Sequence, residues 1–243
     1  MTDATWIINW SLLALEPPGW GGVLLNGLVR SLEIAIGGYG LGLCLGTGGA
    51  IGKLYGGPVM RDLLKVYTTL VRAVPELVLI LILYYAGTDL LNQLSAALGY
   101  GSVDISGLVA GIFVIGVVEG AYSTEVLRGA IQSISPGQIE AGRAFGMAPT
   151  KILLRITIPA MLPHAIPGLS NLWLIATKDT ALLAVVGFSE LTMATRQAAG
   201  SSKAYILFFC AAGVLYLAVT LISNVIIGAI DRRCRRGIAG ESA

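Results

Sequence analysis

Between Tyr205 and Ile230 the sequence has no Asp, Glu, Lys or Arg, and a run of that length fits water poorly and a lipid bilayer well. About 20 predominantly apolar residues cross the ~30 Å hydrocarbon core as a helix, and inside lipid only a helix or a closed barrel satisfies every backbone polar group. Four further runs follow the same logic. The chain therefore reads as all-α, a single polytopic membrane domain over residues 1–243 with about five spans near 23–51, 64–91, 108–127, 162–188 and 205–230. Composition agrees, since only 12% of residues are charged against about 25% in soluble domains.

Glycine use points the same way. Gly38, Gly42, Gly46 and Ala50 recur every four residues in the first span, which predicts a narrow face against which another helix backbone packs closely. The stretch from Gly46 to Lys53 superficially resembles a phosphate-binding loop, but Thr47 stands where that loop needs glycine and Leu54 where it needs Ser or Thr. No dinucleotide fingerprint accompanies it. Cys44, Cys210 and Cys234 are scattered, with no spacing for a disulfide framework or a zinc site. The net charge of +2 gives no reason to expect nucleic acid as a partner.

The first nineteen residues lack the basic segment and cleavage site of a signal peptide and read as interfacial, with Trp6, Trp10 and Trp20 suited to the headgroup region. The basic residues divide unequally between alternate loops. Eleven fall on one side, around Lys53 to Lys65, Arg128 to Arg155 and Arg232 to Arg236, and two, Arg196 and Lys203, on the other. Positive charge is retained in the cytoplasm. The expected topology therefore has an external N-terminus, an external loop around Asp104 and a cytoplasmic C-terminus, which requires an odd number of crossings.

The fourth span is irregular, carrying Pro163, Pro167, Asn171, Lys178 and Asp179, and a broken or re-entrant course is expected there. The longest polar stretch, Arg128 to Arg155, is cytoplasmic in this topology and is built as a helix. Ser135 is placed to be its N-cap, Pro136 its first residue, and Gln138 the partner in a capping box. Within it, Glu140-Ala141-Gly142, then Gly146, then Ile156-Thr157-Ile158-Pro159 resembles the EAA loop of ABC importer permeases, departing from that pattern at Gly142 and Ile158 with the spacing intact. Gly120-Ala121-Tyr122, Arg128-Gly129-Ala130 and Pro136-Gly137-Gln138 resemble the polar amino-acid subfamily. Pro75-Glu76-Leu77-Val78 and Lys178-Asp179-Thr180-Ala181-Leu182 resemble its permeases for histidine, lysine, arginine, ornithine and opines.

The resemblance implies a permease of a bacterial inner membrane importer for a polar, basic amino acid or opine. It also implies partners: two ATPase subunits, a second permease that is identical or paralogous, and a periplasmic substrate-binding protein. ATP and Mg would be bound by the ATPase, leaving this chain with no catalytic residue, metal or cofactor. Glu140, Ala141, Gly146, Ile156 and Pro159 are the expected ATPase-coupling residues, with Gly146 allowing close backbone approach.

Ionisable residues inside a membrane are costly and usually face a cavity or one another. Glu76, Glu119, Lys178 and Asp179 are therefore candidates for the substrate pathway. Glu119 is favoured because no basic residue lies within one helical turn of it. Arg72 and Glu76, four residues apart, and Glu125 and Arg128, three apart, leave an ion pair and a pathway role both open. An ion-coupled secondary transporter or channel subunit is the rival class, but such folds usually carry internal repeats and no segment recurs here. A membrane enzyme has less support, because the sole histidine, His164, stands beside Pro163 with no catalytic motif around it.

Overall fold

Gly38, Gly42 and Gly46 face a partner helix and determine how the bundle is built. The computed structural model describes residues 9–101 and 106–235; Trp6, the loop around Asp104, and Arg236 lie outside the described residues. The described residues form nine α-helices in chain order, α1 (Gly21–Tyr55), α2 (Pro58–Ala73), α3 (Glu76–Ala97), α4 (Gly107–Gln132), α5 (Pro136–Ala144), α6 (Pro149–Ile152), α7 (Ile158–Asp179), α8 (Leu191–Ser202) and α9 (Tyr205–Arg235). Five helical stretches are long and apolar enough to cross a membrane: Gly21–Tyr55, Glu76–Ala97, Gly107–Gln132, Pro149–Val186 and Tyr205–Arg235. The all-α, five-span expectation holds.

The centre is the α1/α4 pair. A Cβ on Gly42 would stand 2.7 Å from Glu119 Cβ, and one on Gly38 would stand 2.7 Å from Ile115 Cγ2. Gly46 meets Ser123 and the Thr124 backbone in the same way. In lipid there is little hydrophobic gain from bringing two apolar helices together, so close van der Waals contact between backbones carries the association. The four-residue stripe therefore does what its spacing predicts.

The second apolar run is divided. Residues 64–91 do not form one helix, because Val74 is extended and Pro75 follows it. Proline disfavours α geometry in the residue before it and cannot donate a backbone bond. α2 is consequently a separate amphipathic helix, and the span proper starts at Glu76. Arg72 and Glu76 thus belong to different helices and form no ion pair. Tyr67 anchors α2 to α4 by donating to the Val117 carbonyl at 2.5 Å. Burial pushes its phenol up to about 12, so this donor stays protonated at neutral pH.

At the same end of the bundle Glu125 joins three helices. It accepts two bonds from Arg128, at 3.0 and 2.7 Å, and pairs with Lys53 from the end of α1. Lys53 also donates to Thr68 of α2 at 2.5 Å. Glu125 and Arg128 are a structural pair. The irregular fourth span is explained by its prolines. Pro159 offers no N–H to the Arg155 carbonyl, and the chain widens to a π turn over Leu153–Thr157 just before α7. Pro167 leaves the Pro163 carbonyl free, and Arg235 at the end of α9 reaches it at 3.4 Å.

At the opposite end, Glu190 is fully buried and caps α8, accepting from the Thr192 and Met193 amides at 2.7 and 2.8 Å. Ser31 of α1 and Tyr216 of α9 also donate to it, each at 3.2 Å. Here too a glycine permits the approach, since a Cβ on Gly27 would stand 2.9 Å from Leu191 Cα. Trp10 lies in a short 3-10 turn and is 68% exposed, which suits an interfacial ring.

Gly46→Ala is expected to cost about 1–3 kcal/mol, the usual penalty of overpacking. Gly48→Ala, whose Cβ would meet nothing within 4 Å, should be neutral or stabilising by up to about 1 kcal/mol. Thermal unfolding of the detergent-purified chain reads the difference, and equal midpoints for the two variants would remove close packing as the cause of α1/α4 association.

Candidate functional site

Two groups of predicted residues emerge, one inside the membrane and one at the end of the bundle that carries Glu125. The intramembrane group is a carboxylate cluster drawn from three helices. Glu119 stands at mid-length of α4, held against the α1 glycine stripe and only 1% exposed. Glu76 opens α3, where the Pro75 break leaves its carboxylate beside the positive end of the helix dipole. Asp179 ends α7. The Glu76 and Asp179 side chains are within hydrogen-bonding reach of each other, and Glu119 interacts electrostatically with both.

The decisive feature is an orphaned atom. Glu119 Oε2 is buried and has no hydrogen-bond partner, and neither has Ser123 Oγ one helical turn away. A buried polar atom left unpaired costs about 1–3 kcal/mol, and more when it is charged. Three carboxylates in one neighbourhood also repel one another, most strongly where water is scarce. No described residue donates to that Glu119 oxygen. Around it stand Tyr39 and Tyr122, both in electrostatic contact with Glu119. Tyr39 donates to the Leu169 carbonyl at 2.9 Å and meets Trp173 edge-on at 5.5 Å between ring centres.

Lys178 is placed differently from its sequence neighbour. It is exposed and lines a groove with Ala181, Tyr216 and Thr220. Its charge still reaches Asp179, but the side chain does not fill the gap at Glu119. Three of the four predicted pathway residues therefore come together and the fourth stands apart. Among the described residues no grouping of His, Cys, Asp or Glu is arranged to hold a metal ion.

The second group is the α5 segment. Glu140 and Ala141 are exposed on α5, and Gly142 is buried beneath them. A Cβ on Gly142 would stand 2.8 Å from Ile156 Cδ1, so glycine in place of the pattern's second alanine lets α5 sit closer to Ile156. Ile156 is half-buried in the π turn and Pro159 exposed at the start of α7. Ser135 is the N-cap residue and Pro136 follows at the first position, yet the Ser135 side chain makes no capping bond. Its carbonyl instead accepts from the Gln138 amide at 3.1 Å.

Gly146 needs its freedom for a different reason from close approach. Nothing lies within 4 Å of where its Cβ would be, but its φ is +68°. The Met147 amide donates to the Gly142 carbonyl at 3.1 Å and the Gly146 amide to Arg143 at 2.9 Å. That pair of bonds is a Schellman cap, which needs a left-handed residue at this position. Phe145, which sequence reasoning passed over, is held by this cap with 88% of its surface exposed. An aromatic immediately before the glycine of a helix cap was the signal available for it.

A five-span bundle with a carboxylate cluster inside it and a capped helix at one end fits a transport permease. The chain matches, over residues 38–236, the model of the family described as the binding-protein-dependent transport system inner membrane component, and it belongs to that family. It is 38% identical over 220 residues to the histidine/lysine/arginine/ornithine transport system permease protein HisQ of Escherichia coli, covering 90% of this chain and 96% of that one. It is 36% identical over 233 residues to the nopaline transport system permease protein NocQ of Agrobacterium fabrum, covering 95% and 99%. An amino acid ABC transporter solved with histidines shares the fold, with a TM-score of 0.74 and 23% identity over 88% of this chain and 95% of that one. The methionine transporter MetNI in an inward-facing form also shares it, with a TM-score of 0.71 and 18% identity over 91% of this chain and 100% of that one.

Gly146→Ala is expected to lower the local stability of α5 by about 1 kcal/mol or more, the cost of a Cβ at positive φ. Hydrogen exchange of the α5 and cap amides in the purified chain measures it, and the same protection as wild type would mean that the cap does not depend on the left-handed residue.

Proposed function

We propose that the chain is one permease half of an ATP-driven importer whose substrate is a basic amino acid or an opine carrying a guanidino or amino group. The observation that carries the substrate class is the buried, unpartnered Glu119 oxygen beside Glu76 and Asp179. A cationic side chain would satisfy that oxygen and offset the repulsion among the three carboxylates. The relatives' printed substrates, histidine, lysine, arginine, ornithine and nopaline, support the same chemistry. Glu119 is sealed in this conformation, so substrate reaches it when α3 and α7 part from α4. Lys178 serves as a counter-charge to Asp179 rather than as a contact.

Nucleotide and Mg are held by two ATPase subunits, and this chain does no hydrolysis. α5 is their dock. Glu140 and Ala141 form its exposed face, Gly142 and Ile156 hold it down, the Gly146 cap stiffens its end, and Phe145 is an aromatic anchor of the kind that dominates protein interfaces. A second permease, identical or paralogous, completes the pathway, and a periplasmic binding protein delivers substrate. The N-terminus faces the periplasm and the C-terminus the cytoplasm, as the basic residues gathered at the Glu125 end favour.

Glu119→Gln should leave assembly intact and lower uptake about ten- to hundredfold, the loss of one hydrogen bond to a charged group. The measurement is transport of arginine, lysine, histidine and opines by the complete system in vesicles, normalised to complex abundance. Wild-type rate and affinity for all of them would return Glu119 to a packing role. Orientation is tested at Cys234, in a background where Cys44 and Cys210 are serine. An impermeant thiol reagent should label it only after the inner face is opened, and labelling in sealed cells would reverse the topology.

A further inference from the structure

The carboxylate cluster accounts for only one end of the proposed substrate. An amino acid or opine that brings a cationic group also carries a carboxylate, and neither the acids around Glu119 nor Lys178, which stands apart, receives it. The residue placed to do so is Arg72. It lies in the last turn of α2, just before the Val74-Pro75 break that starts α3 at Glu76. Its neighbour Val71 is buried against Val118 and Ala121 of α4, with Tyr67 and Tyr122 packed around them. The end of α2 is thereby pinned to the middle of α4, at the level of Glu119.

Two observations set the Arg72 guanidinium beside the cluster and beside open space. Tyr122 follows Glu119 on α4 by three residues, about 4.5 Å along the helix axis, and its phenol interacts electrostatically with Arg72 as well as with Glu76, Glu119 and Asp179. Arg72 also lines a cavity of about 570 Å³ at the Glu125 end, with Lys53, Thr69 and Arg128 on the same wall. Lys53 and Arg128 are engaged by Glu125, whereas Arg72 is exposed and has no ion-pair partner among the described residues. Acids and base thus stand within electrostatic range without neutralising one another. A zwitterion laid between them satisfies both. We propose that Arg72 receives the substrate's carboxylate while Glu119 and its neighbours hold the cationic group, so that the molecule lies along Tyr122 with its carboxylate toward the Glu125 end. A planar guanidinium meets a carboxylate through two parallel hydrogen bonds, which a lysine cannot reproduce. The inference rests on the cationic substrate proposed above.

The test is a cycle between a protein group and a ligand group. Radiolabelled arginine and agmatine, which is arginine without its carboxylate, are bound to the purified permease and ATPase complex in nanodiscs. The binding protein is left out, because its own specificity would intervene. Wild type should hold arginine about ten- to hundredfold more tightly than agmatine, the worth of charge-assisted hydrogen bonds. Arg72→Gln should reduce arginine to the agmatine level and leave agmatine where it was, which also shows that the complex is still folded. Arg72→Lys should recover part of the loss, since it keeps the charge without the fork. Equal weakening of both ligands, unchanged arginine binding in Arg72→Gln, or no preference for arginine in wild type overturns the proposal. Dissociation of the permease pair in Arg72→Gln also overturns it, by assigning the guanidinium to an acid of the partner subunit. Glu119→Gln in the same assay should weaken both ligands alike. If it weakens neither while the arginine preference persists, the cationic end of the reading fails and the role of Arg72 stands.

Discussion

Close contact between α1 and α4 is the constraint from which the rest of this structure follows. Lipid tails are as apolar as the side chains they replace, so two helices in a bilayer gain little merely by hiding apolar surface from the solvent. They gain by fitting. The stripe of Gly38, Gly42 and Gly46 removes the side chains that would hold α4 away, and Ile115, Glu119 and Ser123 occupy the space. The same contact that builds the bundle therefore carries a carboxylate into its interior. The bundle and its chemistry share one cause.

Once Glu119 is fixed, its surroundings are decided by where other helices begin and end. Pro75 ends α2 and starts α3, which brings Glu76 inward at a helix N-terminus. Asp179 is the last residue of α7 before the backbone tightens to a 3-10 turn. Helix ends are where a side chain can enter a membrane core beside unpaired backbone groups. Two of the three clustered carboxylates sit at such ends, and the third sits on the helix face that packs against glycine.

The legible part of the fold was whatever repeats along one helix. The glycine stripe, the apolar spans and the motif around Glu140 are all local patterns, and each could be read from spacing. The break at Val74-Pro75 was also local. It was obscured because the run from Leu64 to Leu91 is apolar enough to read as one span, and that reading made Arg72 and Glu76 look like neighbours on one face. Gly146 was identified, but its cause was hidden in a φ angle that no residue pattern prints. The meeting of Glu76, Glu119 and Asp179 lay beyond any periodicity, since it is made by three helices far apart in sequence. Phe145 escaped for a simpler reason, as apolar residues next to a helix end are usually packed rather than presented.

Glu119 and Glu125 show how similar residues on one helix come to serve different ends. Glu125 lies six residues further along α4 and meets Lys53 and Arg128, with both oxygens engaged. A carboxylate paired in this way gives rigidity, and removing either partner would strand a charge, which is the costly event for a half-buried ion pair. Glu119 instead has the acids Glu76 and Asp179 and the rings of Tyr39 and Tyr122 around it. No described residue bonds its Oε2, and a fold that needed only stability would be better served by an apolar residue there. An incomplete buried carboxylate makes sense when its partner arrives from outside and departs again. That logic joins the packing of α1 on α4 to the proposed transport role: the glycines hold in place a carboxyl group whose Oε2 no described residue satisfies.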